Sequence, residues 1–171
     1  GTQLLSKRPE MFAPDIWPAY AEQAKGCEII DTSGNRYIDM SLNGILACIL
    51  GYSDPDINEA VLRRVHLGSM STLSSYDEVR LAKLLIEIHP WAEMARFTRT
   101  GGESTSVAIR IARAATGRDK IAICGYHSWQ DWYLAANLGE EGTAGLENHL
   151  LSGLEPNGVP QGLKNSVLTF Q

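Results

Sequence analysis

The stretch of sequence that decides the fold is residues 94–124, which read MARFTRTGGESTSVAIRIARAATGRDKIAIC. A strand is predicted over residues 94–98, and the pair Gly101-Gly102 predicts a tight turn behind it. The next residues predict a helix over 103–116, and a second, buried strand is predicted over 121–124. Because a strand, a helix and a strand in this order pair in parallel, we expect an α/β fold, with a mostly parallel sheet and flanking helices.

The glycine pair is a candidate anion-binding site. A glycine turn that opens a helix points several backbone N–H groups, and the positive end of the helix dipole, at one place. Gly101 and Gly102 lack a Cβ, so an anion can approach their main chain closely. We expect hydroxyl donors from Ser104 and Thr105, and we expect Glu103 to serve the first helical turn. Spacing alone leaves open the alternative that the two glycines only make a sharp turn.

An aromatic cluster follows the second predicted strand. Tyr126 comes at the carboxyl end of that strand, which is the edge of a parallel sheet where ligands bind. It could stack on a flat ring whose phosphate lies at the glycine turn. The sequence contains no G-x-G-x-x-G and no G-K-[ST], so the dinucleotide fingerprint and the nucleoside-triphosphate loop are both excluded. For Trp129, Trp132 and Tyr133, packing at a subunit interface is the simpler interpretation.

Several motifs, in this order, resemble the pyridoxal-phosphate-dependent class III aminotransferases of the glutamate-1-semialdehyde aminomutase kind. The resemblance covers about residues 17–134. Its motifs are Gly34-Asn35-Arg36-Tyr37-Ile38-Asp39, Leu50-Gly51-Tyr52, Thr100-Gly101-Gly102-Glu103-Ser104, Arg110-Ile111-Ala112-Arg113 and Tyr126-His127. The resemblance implies the N-terminal part of a fold-type-I transferase, and an aminotransferase or aminomutase that acts on an amino/keto or semialdehyde substrate.

The same resemblance implies pyridoxal 5'-phosphate as the cofactor. It assigns the amides of Gly101 and Gly102 to the phosphate, and it makes Tyr126 and His127 cofactor-binding residues, with Tyr126 covering the ring. This sequence departs from the family at three positions. Gly102 stands where the family usually has Thr, Ser104 where it usually has Ala, and Ser128 where Gly is common. The first departure removes a hydroxyl donor and keeps the amide.

The residues that carry the family's chemistry are not expected in this chain. The Schiff-base lysine and the aspartate that pairs with the pyridine nitrogen lie later than this sequence reaches, so no catalytic residue is assigned and the chain alone is predicted to be inactive. Arg8 is the candidate for the arginine that binds the substrate carboxylate in semialdehyde aminomutases. The alternative is a phospholigand-binding or structural α/β fragment without catalysis.

The remaining sequence predicts two domains. Residues 1–90 are expected to form an N-terminal arm, a hairpin and helices, and residues 91–171 the beginning of a large cofactor-binding domain, incomplete because both ends of the chain look cut. The predicted elements are a short helix near 18–25, a hairpin over 28–31 and 36–40, helices over 55–67 and 76–89, a loop region over 139–162 with a helix near 146–151, and a strand over 167–170.

Composition and charge exclude several classes of function. A net charge of −5 with scattered Lys and Arg gives no electrostatic footprint for nucleic acid. The longest apolar run, residues 45–50, is too short to span a bilayer, so we expect no membrane partner. Three unpaired cysteines and four histidines without ligand spacing favour a reducing, cytoplasmic compartment and predict no metal site. The amphipathic helices and the tryptophan-rich segment predict self-association, and the resemblance implies a homodimer that acts on a small molecule.

Overall fold

The computed structural model describes residues 7–139 and 155–170 of the chain. The chain divides into two compact units, residues 1–78 and 79–171. The division falls inside a helix, Tyr76–Ile88, so that helix contributes residues to both units. The division predicted at residue 90 stays a prediction.

A three-stranded antiparallel sheet lies in the first unit. Its strands are Ala21–Lys25 (β1), Glu28–Asp31 (β2) and Arg36–Ile38 (β3), in the order β1-β2-β3. The pairing of β2 with β3 confirms the predicted hairpin. The helix predicted near residues 18–25 is wrong: these residues supply β1, which pairs with β2 across a turn at Gly26, where φ is 58°. Because so short a segment cannot stabilise an isolated helix, the strand ladder prevails.

The turn between β2 and β3 is organised by one carboxylate. Asp31 is buried, and its oxygens accept hydrogen bonds from the Ser33 amide at 2.9 Å, from the Asn35 amide at 2.9 Å and from the Tyr37 hydroxyl at 3.0 Å. The Asn35 side-chain amide adds a further bond at 3.1 Å. These donors, the Asn35 side chain first among them, lower the pKa of Asp31 below its ordinary value. A charged, fully bonded Asp31 therefore holds the hairpin turn.

Two amphipathic helices, both predicted, follow the sheet. They are Pro55–His66 (α1) and Tyr76–Ile88 (α2). The Asp54 carboxylate caps α1 by accepting bonds from the amides of the second and third helical residues, each at 3.1 Å. The Ser75 hydroxyl accepts a bond from the amide of the second residue of α2 at 3.2 Å. Neither helix has a buried residue in the described part of the chain, so both leave an apolar face exposed.

A run of left-handed backbone lies between the sheet and α1. Asn43, Gly44, Ile45 and Leu46 have φ values of 40°, 68°, 59° and 64°. This conformation is sterically costly for a residue with a Cβ, and most of all for a β-branched residue such as Ile45.

In the second unit, the helix Gly101–Thr116 (α3) follows the Thr100 N-cap, whose hydroxyl accepts a bond from the third helical amide at 3.2 Å. The helix ends at Gly117, which adopts the left-handed conformation with φ 63°. The predicted helix is confirmed, and it begins two residues earlier than expected. Gly101 and Gly102 are therefore the first two helical residues, rather than a turn before the helix.

The strand predicted over residues 94–98 is wrong. Within the described ranges, no backbone hydrogen bond joins this segment to another strand, and a strand without a ladder partner leaves its polar groups unpaired. The strand Ile121–Ile123 (β4) instead pairs in parallel with Val167–Thr169 (β5). Parallel pairing is thus confirmed with a different partner. The described chain holds this one parallel pair beside the antiparallel sheet of the first unit.

The buried core of the second unit lies around β4, β5 and the segment 131–138. This segment consists of the short helix Asp131–Leu134 (α4) and a 3₁₀ turn, Ala135–Leu138. The buried apolar side chains are Ile123, Tyr133, Ala135, Ala136, Leu138, Val159 and Val167. The helix predicted near residues 146–151 lies outside the described residues. In the described part of the chain, no helix has both the length and the apolar character needed to cross a bilayer.

Candidate functional site

The first turn of α3 presents two amides without acceptors. Among the described residues, neither the Gly101 amide nor the Gly102 amide donates a hydrogen bond to protein. Gly101 is exposed, and a Cβ built on it meets no atom within 4 Å. The amides lie at the positive end of a 16-residue helix. An anion can therefore approach the helix at Gly101, and the Gly102 amide beside it is a second donor without an acceptor.

The polar side chains of the first turn are occupied by the protein itself. Glu103 serves the turn as predicted, because its carboxylate accepts a bond from the Arg99 amide at 2.8 Å. The Ser104 hydroxyl contacts the hydroxyl of Thr98. The Thr105 hydroxyl lies 3.0 Å from the Gly102 carbonyl oxygen, a protein acceptor for its hydrogen, and its role as an anion donor stays a prediction. Backbone amides, rather than hydroxyls, are the free donors.

The loop after β4 lies against the same helical turn. The Thr105 hydroxyl is also 3.3 Å from the carbonyl oxygen of His127, which connects α3 to this loop. A Cβ built on Gly102 would come within 2.6 Å of the Ser128 Oγ and 2.1 Å of the Gln130 Nε2. Gly102 is buried under these two side chains. A residue with a Cβ at position 102 would therefore require these two side chains to move.

Tyr133 anchors an aromatic cluster beside this loop. Its ring is fully buried, and burial raises its pKa above the ordinary value. The rings of Tyr126, His127 and Trp132 lie around it, with centroids 5.8 Å, 6.1 Å and 5.9 Å from its own. Trp132 and Tyr133 thus pack within this chain, whereas Trp129 is 71% exposed. Tyr126 is 38% exposed, so part of its ring is accessible to a ligand.

His127 holds the loop through its Nε2 nitrogen, and its role toward the cofactor stays a prediction. Its Nε2 lies 2.8 Å from the carbonyl oxygen of Cys124, which can only accept, so Nε2 carries the hydrogen. The ring also lies against Trp132, with centroids 6.4 Å apart. These contacts make His127 a positioning residue for the loop that carries Tyr126.

Arg8 belongs to the first unit and is exposed, directly before the 3₁₀ turn Pro9–Met11. Its role toward a substrate carboxylate stays a prediction. Sequence reasoning missed Gln130, and its only sequence signal is the glycine at position 102, where a bulkier residue would leave Gln130 no room.

The residues of this site fit a phosphate ester carried on a flat ring. Two unpaired amides and a helix N-terminus suit a dianion, and the open space at Gly101 admits it. Tyr126 follows in the loop tied to the same helical turn, and it offers an accessible aromatic surface. Pyridoxal 5'-phosphate combines these two chemical features.

Known proteins with similar sequences are aminotransferases and aminomutases. The chain is 39% identical over 127 residues to a 3-aminobutyryl-CoA aminotransferase of Cloacimonas acidaminovorans, an alignment that covers 74% of this chain and 30% of the relative. It is 42% identical over 120 residues to a glutamate-1-semialdehyde 2,1-aminomutase of Thermoplasma volcanium, covering 69% of this chain and 28% of the relative. The chain thus spans less than a third of the length of these relatives.

The structure leads to the same family. A solved transaminase with pyridoxal phosphate bound superposes with a TM-score of 0.72 at 28% identity, covering 91% of this chain and 35% of that one. This likeness confirms the predicted fold class, the N-terminal part of a fold-type-I transferase. The sequence profile of the class-III aminotransferases matches residues 13–141. The chain therefore belongs to the class-III aminotransferase family.

Proposed function

We propose that this chain forms the cofactor-phosphate-binding part of a pyridoxal-phosphate-dependent aminotransferase or aminomutase. The observation that carries the proposal is the pair of unpaired amides, Gly101 and Gly102, at the start of α3. Two relatives, a 3-aminobutyryl-CoA aminotransferase and a glutamate-1-semialdehyde 2,1-aminomutase, support an amino/keto or semialdehyde substrate. We also propose that the whole protein is a homodimer, and that Arg8 contacts the substrate carboxylate.

Each site residue has a defined part in this proposal. The Gly101 and Gly102 amides bind the phosphate, and the dipole of α3 stabilises its negative charge. Tyr126 covers one face of the ring, while His127 and Thr105 hold the loop that carries it. When bound, the cofactor supplies an electron sink for the substrate's amine-bearing carbon. The described residues bind and orient it, and the prediction that this chain alone is inactive is unchanged.

Replacement of Gly101 by proline tests the proposal with little disturbance of the fold. Gly101 is the first helical residue, where proline is favoured because its fixed φ suits the helix, and it removes a single N–H donor. Thr100 already has the extended conformation, φ −135° and ψ 157°, that a residue before proline requires. Gly101→Ala keeps the amide and is the matched control.

The probe is pyridoxine 5'-phosphate, which carries an alcohol in place of the aldehyde and so cannot react with lysines. We expect Gly101→Pro to weaken its binding about tenfold, the loss of one hydrogen bond to a charged group, and Gly101→Ala to leave it within about twofold. Calorimetry measures both, with pyridoxine as the phosphate-free comparison. The proposal is contradicted if Gly101→Pro and Gly101→Ala bind pyridoxine 5'-phosphate equally well. It is also contradicted if the unmodified chain binds pyridoxine as tightly as pyridoxine 5'-phosphate.

A further inference from the structure

The side chain of Gln130 occupies the space that a side chain at position 102 would fill. A Cβ built on Gly102 would lie 2.1 Å from Gln130 Nε2 and 2.9 Å from its Cδ, both far inside contact distance. Gln130 is the N-cap residue of α4, yet its side chain makes no capping bond there. The side chain is therefore directed to α3 rather than to its own helix.

The Gln130 carboxamide has no hydrogen-bond partner among the described residues. Its Oε1 is buried and unpaired, and no bond is made by Nε2 within the described ranges. Leaving a buried polar atom unpaired costs free energy, so the placement of this carboxamide calls for a reason. The arrangement thus places an unused carboxamide beside the two unused backbone amides of α3.

The position of Nε2 points to what that partner is. In an α-helix, every Cα–Cβ bond is tilted toward the N-terminus, so an atom at the Cβ position of Gly102 lies on the N-terminal side of that residue. Gln130 Nε2 lies close to that position. It is therefore at the same end of α3 as the Gly101 and Gly102 amides, which is where we propose that the phosphate binds.

We propose that Gln130 is a phosphate-binding residue of this chain, and that Gly102 is its obligatory partner. The Gln130 Nε2–H donates to the phosphate from the space that a side chain at position 102 would otherwise take. This inference rests on the proposed function, because it requires a phosphate ester at the start of α3. The phosphate site then has a side-chain donor as well as backbone donors, and that donor depends on both Gln130 and Gly102, which are distant in sequence.

The isosteric variant Gln130→Glu tests the donor directly. It keeps the size of the side chain and replaces the N–H donors by a carboxylate, which repels phosphate. We expect pyridoxine 5'-phosphate to bind at least about tenfold more weakly, while pyridoxine binds as it does to the unmodified chain. Gln161→Glu makes the same charge change at an exposed position and is the control, with affinity expected within about twofold.

The partnership with Gly102 is tested by two double variants. In Gly102→Ser/Gln130→Ala, the Ser128 hydroxyl, 2.6 Å from the Cβ position, must rotate away, and the serine at 102 then supplies a donor from the vacated space. We expect binding within about threefold of the unmodified chain. In Gly102→Ala/Gln130→Ala, the space is filled without a donor, so binding should stay about tenfold weaker. Thermal unfolding of both variants separates a loss of binding from a loss of fold.

The outcomes separate this inference from the function on which it rests. If Gly101→Pro weakens binding while Gln130→Glu does not, the site stands and the role of Gln130 is overturned. Equal binding by the two double variants likewise overturns the partnership. If the unmodified chain does not distinguish pyridoxine 5'-phosphate from pyridoxine, the proposed function fails and this inference fails with it.

Discussion

Three hydrogen bonds of Tyr52 fasten the loop after β3 within the first unit. The Tyr52 hydroxyl donates to Asp39 at 2.5 Å, and the Tyr52 backbone exchanges two bonds of 2.8 Å with Gly26. The bond to Asp39 raises the pKa of Tyr52 to about 12. Bonds from Ser41 and then from Tyr52 lower the pKa of Asp39 below 3.8. Both directions mean that the pair is most stable with a neutral phenol and a charged carboxylate.

Removal of the Tyr52 hydroxyl should destabilise the protein only at pH values between the pKa of Asp39 and the pKa of Tyr52. Tyr52→Phe is expected to lower the free energy of unfolding by about 1 kcal/mol at pH 7. The raised pKa of Tyr52 means that its contribution is complete below pH 10.0 and is lost as pH rises toward about 12. The lowered pKa of Asp39 means that its contribution is lost as pH falls below 3.8. Urea unfolding across this pH range measures the difference in free energy of unfolding between the unmodified chain and Tyr52→Phe. A difference that does not change with pH contradicts the assigned hydrogen bond between Tyr52 and Asp39.

Single residues differ in how far the sequence predicts them. Gly101 and Gly102 could be recognised because a glycine pair before a helical pattern has a local meaning. The approach of Gln130 to Gly102 could not, because it joins residues of two different elements through side-chain packing. The left-handed conformation of Ile45 was also unpredictable, since local preference opposes it and only the surrounding contacts can maintain it.

At the scale of elements, α1 depends on its cap. Asp54 satisfies two amides that no helical carbonyl can reach. We expect Asp54→Ala to lower the free energy of unfolding by about 1 kcal/mol and to reduce helical circular dichroism, and Asp54→Ser to retain most of the stability. Thermal unfolding of the two variants side by side makes the comparison. Equal loss in both would show that the carboxylate charge, rather than the cap, stabilises α1.

The elements that the sequence predicted correctly are those with local signals. Helices α1, α2 and α3 have caps and apolar periodicity within their own sequences, and stop signals follow them at Gly68, Pro90 and Gly117. The two errors concern strands, whose existence depends on a partner elsewhere in the chain. The segment 94–98 has strand character and no partner among the described residues, while 21–25 has helical composition and pairs with β2.

At the scale of the whole molecule, exposed apolar surface is the dominant feature. On α1, Ile57, Val61 and Val65 are 52%, 56% and 55% exposed, although they share one helical face. Burying such side chains in a contact with a second copy removes apolar area from water. We therefore predict that the chain self-associates.

A charge on that face should weaken the association. We expect Val61→Glu to shift sedimentation toward the monomer, while Glu59→Gln, a change on the same helix that adds no charge to the apolar face, leaves the association intact. Analytical ultracentrifugation at several concentrations provides the test. A stable monomer of the unmodified chain at high concentration contradicts the prediction.

The start of α3 is expected to bind the phosphate of the cofactor. Amide-resolved NMR during titration with pyridoxine 5'-phosphate tests this claim directly, because it reports on the Gly101 and Gly102 N–H groups themselves. We predict saturable shifts of these two signals that pyridoxine does not produce. Shifts confined to other residues, with the Gly101 and Gly102 amides unchanged, would contradict the claim.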